Sequence, residues 1–304
     1  MVHLLHYRPW RGTFRGPLAS VWPVCRIALL MIFRRKLFWG LYALGLLVFL
    51  MFFFGQYFLA FAETQLSESS IPLFGRRDPH DVVTLLRRRL KLNGSGDTYA
   101  NFFWYQGYMV MVILSLAGSV LIGNDIQHGS LPFYLSKPLS RWHYLLGKCL
   151  AVGTFVNLMT TLPAFVLFIQ WGLLDGWDYF WHDGWLLAGI LGYGLLLTVS
   201  LSLVVIATAS WLRRTVPMIM AWATLFVFLR FLGGALVDGL HYDRHWRLID
   251  LWNDLYLVGG AMLGAGVNST SNPDWYAAAV VVAVVCGACL AYLVQRIRGV
   301  EIVK

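Results

Sequence analysis

The chain has 304 residues, is 59% hydrophobic and only 13% charged, and has a mean hydropathy of +0.64. A water-soluble domain carries about 25% charged residues, so this composition excludes a soluble globule and places the protein in a bilayer. In so apolar a chain the net charge of +9 belongs to basic edges facing anionic lipid, not to a nucleic-acid partner. Long apolar runs recur, each able to cross about 30 Å of hydrocarbon as a helix. They predict an all-α membrane protein with six transmembrane helices over 37–304 and no appended soluble domain.

Residues 1–36 form a basic N-terminal segment: Arg8, Arg11, Arg15, Arg26, Arg34, Arg35 and Lys36, with no acid. Within it, 18–33 is apolar on one face and predicts an interfacial amphipathic helix. A secretory signal fits poorly, because the apolar run after Lys36 is long and lacks a small-residue cleavage site. The first span is expected over 37–62. A polar outer segment comes next, over 63–101, with a helical apolar spacing at Val82, Leu85, Leu86 and Leu90. Its arginines Arg76, Arg77, Arg87, Arg88 and Arg89 run against the positive-inside rule. The second span is expected over 102–123, where Ser115, Gly118 and Ser119 permit close helix approach.

Next comes a short basic connection, IGNDIQHGSLPFYLSKPLSRWHYLLGKCLA, from Ile122 to Ala151. Ser136-Lys137-Pro138 stops or starts a helix, since Pro fixes φ and lacks an N–H, and Gly129-Ser130 offers a cap before Leu131. The pattern predicts a short amphipathic helix held between two spans at the cytoplasmic face.

The third span is expected over 144–174 with a kink at Pro163, and an aromatic, acidic outer loop over 175–183. The fourth runs over 184–212 and returns at Arg213 and Arg214; the fifth starts at Pro217 and runs to about 237. The outer segment 238–274 is acidic, and its apolar, glycine-rich part, 255–267, is too short to span, which suits a re-entrant or interfacial hairpin. The sixth span is expected over 275–294. This layout puts fifteen Lys/Arg on the cytoplasmic side and eight outside. No internal repeat is visible, which argues against carriers built from inverted repeats.

The basic connection resembles one found in permeases of the ABC-2 type. Those carry an acid after the second span, then Gly-Thr/Ser-Leu, Pro-hydrophobic-Ser-Arg and Leu-Gly-Lys. Here the matching residues are Asp125, Gly129-Ser130-Leu131, Pro138-Leu139-Ser140-Arg141 and Leu146-Gly147-Lys148. Asp125 stands where Glu is usual and Ser130 where Thr is commoner; both keep the chemical type. The resemblance covers most of the chain in layout and about thirty residues in motif. It implies that the segment is a coupling helix docking on a separate ATPase, with Asp125, Gly129, Ser130, Leu131, Lys137, Pro138, Arg141 and Lys148 at the contact. It implies two ATPase copies that carry the ATP and magnesium, and a second permease copy or relative. It also implies both termini in the cytoplasm of a bacterial inner (plasma) membrane, and export rather than import.

No phosphate-binding loop occurs: before Gly147-Lys148, Trp142 stands where glycine is needed and Cys149 comes after. The chain is therefore expected to be no enzyme and to bind no cofactor or metal. Arg230 lies in the outer half of the fifth span, where a charge is costly. It either lines a translocation path or snorkels outward to Asp238. His241, Asp243 and His245 form a weak metal pattern that reads more simply as a loop. Asn93-Gly94-Ser95 and Asn268-Ser269-Thr270 read as turns rather than glycosylation sites. Cys286 and Cys289 read as helix packing, and Asn157, Thr160 and Thr161 as interhelical hydrogen bonders. Rival readings are an intramembrane enzyme around His241–His245 and a non-transporting scaffold. Lipid, peptide, polysaccharide, drug and ion are all compatible cargoes, with a tilt toward amphiphiles from the apolar spans.

Overall fold

A computed structural model describes residues 19, 21–34, 36–68, 91–118, 141–212, 214–266 and 271–296. Among them all regular structure is helical. In order these are α1 (Val21–Phe33), α2 (Lys36–Glu68), α3 (Gly96–Gly118), α4 (Arg141–Met159), α5 (Thr161–Asp175), α6 (Trp177–His182) and α7 (Trp185–Leu212). Then come α8 (Thr215–Ala223), α9 (Leu229–Gly234), α10 (Leu251–Met262) and α11 (Trp275–Arg296).

Five stretches are long and apolar enough to cross a membrane: Phe38–Phe61, Trp142–Asp175, Trp185–Leu212, Thr215–Gly239 and Trp275–Arg296. The chain is a multi-pass, all-α membrane protein. The expected second span corresponds to α3, which falls outside this set because Asp97, Asn101 and Gln106 make it more polar. It is nonetheless central, with Tyr99, Phe102, Phe103, Val110 and Leu114 fully buried. The core axis is α7, whose apolar stretch is 67% buried, against 17% for α11. The exposed faces carry residues such as Leu47, Phe54, Phe58, Phe231 and Val284. A contiguous apolar surface of this kind is tolerated in lipid and not in water.

In lipid the hydrophobic effect does not distinguish a helix from an acyl chain, so close packing and hydrogen bonds hold the bundle together. A Cβ added at Gly194 of α7 would collide with Thr161 of α5, and one at Gly153 of α4 would lie 2.6 Å from the Thr198 methyl of α7. Asn157 Nδ2 donates across to Thr198 Oγ1 (2.7 Å) and Thr161 Oγ1 donates to Asn157 Oδ1 (2.7 Å). Thr160 departs from its expected interhelical role: its hydroxyl donates to Val156 O within its own helix (2.8 Å). The break between α4 and α5 falls at Thr160, three residues before Pro163, whose missing N–H leaves a gap in the ladder. In α3, Gly118 lets Met218 and Val205 approach as expected; Ser119 lies outside the described residues.

Two boundaries differ from expectation. The fifth crossing starts at Thr215, so Pro217 sits in the first turn but is not the first residue. The short helix α10 starts at Leu251, four residues before the apolar run, because Asp250 caps it: its carboxylate accepts the N–H groups of Trp252 (3.1 Å) and Asn253 (3.2 Å). This helix is not a surface hairpin. Trp252, Asp254, Leu255 and Leu257 are buried against α3, α7 and α11.

The bundle has two chemically distinct ends. At one, Tyr179 of α6 donates to Gly94 O (2.6 Å) and meets the Tyr99 hydroxyl (2.8 Å), and Gly266 N donates to Asp97 (3.1 Å). Asp175, Asp178, Asp183, Asp238, Asp243 and Asp274 gather there. At the other end lie Arg26, Arg34, Lys36, Arg141, Lys148, Arg214 and Arg296, with no acid among the described residues. There α1 buries Val24, Cys25, Ala28 and Ile32 against α4, and Gly147 is the point of contact: a Cβ would lie 2.8 Å from the Val24 side chain.

Candidate functional site

Of the residues expected at a docking surface, Asp125, Gly129, Ser130, Leu131, Lys137 and Pro138 lie outside the described residues. Arg141 opens α4. Lys148 is only 4% exposed, with its ammonium 5.5 Å from the centre of the Tyr144 ring. Most of this side chain is packed against its neighbours in the bundle.

Arg230 lies at the other end of the bundle, on α9. This helix is flanked by two π-helical turns, Thr224–Phe228 and Ala235–Gly239. Each π turn widens the helix and shifts the angular phase of every residue beyond it, so faces projected at 3.6 residues per turn are wrong here. Arg230 does not reach Asp238. It donates to the Tyr108 hydroxyl and stacks on Trp104, with the guanidinium carbon 4.4 Å from the indole centroid and 5.5 Å from that of Tyr108. Asp238 pairs instead with Arg247 (3.3 Å).

Trp104 and Tyr108 are one helical turn apart on α3 and so share a face. From α10, Trp252 packs on both (5.9 and 5.8 Å between centroids) and Tyr256 meets Trp104 edge-on (4.7 Å). These rings fix the plane on which the guanidinium lies. Such cation–π contacts are worth up to about 2 kcal/mol when desolvated.

Of these residues Arg230, Trp104 and Tyr256 line a cavity of about 820 Å³ between α3, α9 and α10 at the acidic end. Its charged lining residues are Arg230, Arg247, Asp238 and Asp250, so its formal charge is balanced. The four are not equally satisfied. Arg247 and Asp238 pair with each other, and Asp250 accepts the first N–H groups of α10. Burial raises the Asp250 carboxyl above its ordinary range, against those hydrogen bonds and the field of Arg230. Arg230 has no carboxylate within ion-pair distance among the described residues. Asn253, which also lines the cavity, is only 6% exposed and its Nδ2 has no partner.

A second cavity, of about 240 Å³, lies between α3, α8 and the first π turn, lined by Tyr108, Met111, Val112, Leu116, Trp222 and Phe226 among others. It is almost wholly apolar. Tyr108 borders it and also holds Arg230 in the larger cavity.

Other expected features are plainer. Asp243 caps a 3₁₀ turn, Arg244–Ile249, accepting His245 N (3.0 Å), and its carboxylate sits 2.7 Å from the same imidazole. No group of three or more His, Cys, Asp or Glu suited to a metal exists among the described residues. Asn93 Oδ1 accepts from Ser95 Oγ (2.7 Å) in the turn before α3; the 268–270 tripeptide lies outside the described residues. Cys286 and Cys289 carry free thiols, and Cys286 lies 3.6 Å from Ser200 Oγ.

Comparison of the chain with protein-family models and with curated proteins gives no match. The functional reading therefore rests on geometry and on the sequence motif.

Sequence reasoning singled out Arg230 but missed its setting: Trp104, Tyr108, Trp252, Tyr256, Asp250 and Asn253. An aromatic pair at i, i+4 within an apolar run looks like ordinary packing. Only the arrival of Arg230 from a π-distorted helix makes it a platform.

Proposed function

We propose that the chain is the permease subunit of an ATP-driven transporter of the ABC-2 type, an exporter energised by a separate ATPase. The supporting observation is the coincidence of the Leu146-Gly147-Lys148 part of the motif with the α1–α4 crossing at the cationic end of the bundle. Gly147 is small because α1 lies on it, and Lys148 is buried one helical turn beyond Tyr144. A push on the connection before Arg141 would thus move α4 and α1 together, and through Gly153 and Asn157 it would reach α7.

The excess of Lys and Arg at that end makes it the cytoplasmic one under the positive-inside rule. With α3 counted as a crossing, the chain crosses six times and both termini face the cytoplasm of a plasma membrane. Two permeases and two ATPase copies complete the machine, with ATP and magnesium on the ATPase. The chain supplies the path, and Arg230 with its cavity lies on that path at the outer side.

The test is co-purification from the native host. The wild-type chain brings down an ATPase, and the double variant Lys137→Glu/Arg141→Glu loses it while keeping its elution volume and melting temperature. Retention of the ATPase by the double variant refutes docking through these side chains.

A further inference from the structure

We propose that α10 is a proton-latched wall of the larger cavity: with a proton on Asp254 the helix stays seated in the bundle, and when that proton leaves, α10 leaves its seat and the wall that it supplies moves. The proposal goes beyond the transport reading and needs no ATPase partner.

The seat of α10 is made of close contacts. Trp252, fully buried, lies on Gly107 of α3, where an added Cβ would collide with the indole. Gly259 receives the Tyr193 ring of α7 in the same way, and Leu263, just past the helix, lies over Gly189 of α7. The same short helix lends Asp250, at its cap, and Tyr256 to the lining of the larger cavity. A displacement of α10 would therefore change the cavity directly.

Asp254 follows Asp250 by four residues, one helical turn deeper. It is fully buried, and neither of its oxygens has a hydrogen-bond partner among the described residues. A carboxylate sealed from water without a cation or a donor is so costly that the group stays neutral. The elements packed on α10 are α3, α7, α9, α11, the Arg244–Ile249 turn and the first π turn. Their cations near the cavity are engaged elsewhere: Arg230 on Tyr108 and Trp104, Arg247 with Asp238, Arg244 with Asp274, and His245 with Asp243. The other titratable groups on these elements are Asp97, Tyr99, Tyr105 and Tyr108 on α3, and Tyr193 on α7. On α11 they are Tyr276, Cys286, Cys289 and, at its far end, Tyr292 and Arg296. None of them bonds to Asp254. Besides burial, only Asp250 acts on it, and a second carboxyl makes ionisation harder still, so Asp254 keeps its proton up to about 8.

Once α10 is displaced, Asp254 meets water and ionises like an ordinary carboxyl. The proton is thus held by the seated helix and lost by the displaced one. Opening becomes easier by about tenfold per pH unit above the ordinary carboxyl range. The gain stops at about 8, where the seated form ionises too.

The experiment is hydrogen exchange of the full chain in neutral nanodiscs from pH 5 to pH 9, with each rate divided by that of an unstructured peptide at the same pH. In the wild type the corrected exchange of α10 rises at least tenfold from pH 6 to pH 8 and then levels off, while that of α7 stays flat. Asp254→Asn, which keeps His245 and Asp250, abolishes the rise. A flat profile for α10 in the wild type overturns the proposal. So does a rise shared equally by α7, which would be a loss of global stability with no latch. A rise that persists in Asp254→Asn overturns it too, by assigning the titration to another group. Should that variant fail to fold, the wild-type ratio of α10 to α7 still decides.

Discussion

At the residue scale the most unusual group is Asp254, fully buried on α10 with neither carboxylate oxygen partnered. Burial, with the neighbouring charge of Asp250, pushes its carboxyl up to about 8. Linkage gives the direction of the pH effect. The folded state holds a proton on Asp254 that the unfolded chain, with a carboxyl of ordinary acidity, has already lost. This contribution is fully present at acid pH and disappears as pH rises through about 8. Asp254→Asn, which mimics the protonated form, should raise the melting temperature in neutral detergent, by an amount that grows from pH 5 to pH 8 and then levels off. A difference that is constant across that range would show that Asp254 does not titrate within it. Sequence reasoning counted Asp254 among the acids of an outer loop. Nothing in its neighbours along the chain says that the helix carrying it turns inward.

At the scale of elements, small residues set how closely helices approach, and this can be checked by contrast. Gly194→Leu would drive a side chain into Thr161 at the α5–α7 contact. It should cost at least about 1–3 kcal/mol, the usual range for overpacking. Gly287 of α11 has nothing within 4 Å of where its Cβ would lie. Gly287→Ala should be neutral or stabilising by up to about 1 kcal/mol, because alanine is the better helix residue. Thermal unfolding of the two variants in one detergent separates them; equal losses would refute the packing account. The long helices themselves were legible in the sequence, since apolar runs in lipid leave the backbone no alternative to internal hydrogen bonding. Their irregularities were only half legible. Pro163 announced the break at Thr160, but the π turns on either side of α9 carry no proline and no sequence mark.

At the scale of the whole molecule the bundle is polarised: one end carries cations and no acid among the described residues, and the described acids gather at the other, where Lys91, Arg230, Arg244 and Arg247 also lie. Under the positive-inside rule this gives one testable orientation. In a background without other cysteines, Trp181→Cys, 87% exposed on α6, should react with a membrane-impermeant maleimide on intact cells, and Arg34→Cys should react only after the cells are opened. The reverse pattern would place the basic connection outside the cell and end the ATPase-docking reading. The arginines at 76–89 are the one sequence feature opposed to this orientation, and they lie outside the described residues.

Composition and apolar run length alone determined that this is an all-helical membrane protein, and that its cations cluster at chain connections. These properties depend on solvent and on neighbours along the chain, which a sequence records directly. Tertiary structure alone decided what Arg230 touches, that α10 is buried, that Lys148 is buried, and that a cavity lies beside Arg230. Each of these depends on the phase and packing of helices far apart in sequence. Two π turns are enough to shift that phase and bring Arg230 onto Trp104 instead of Asp238.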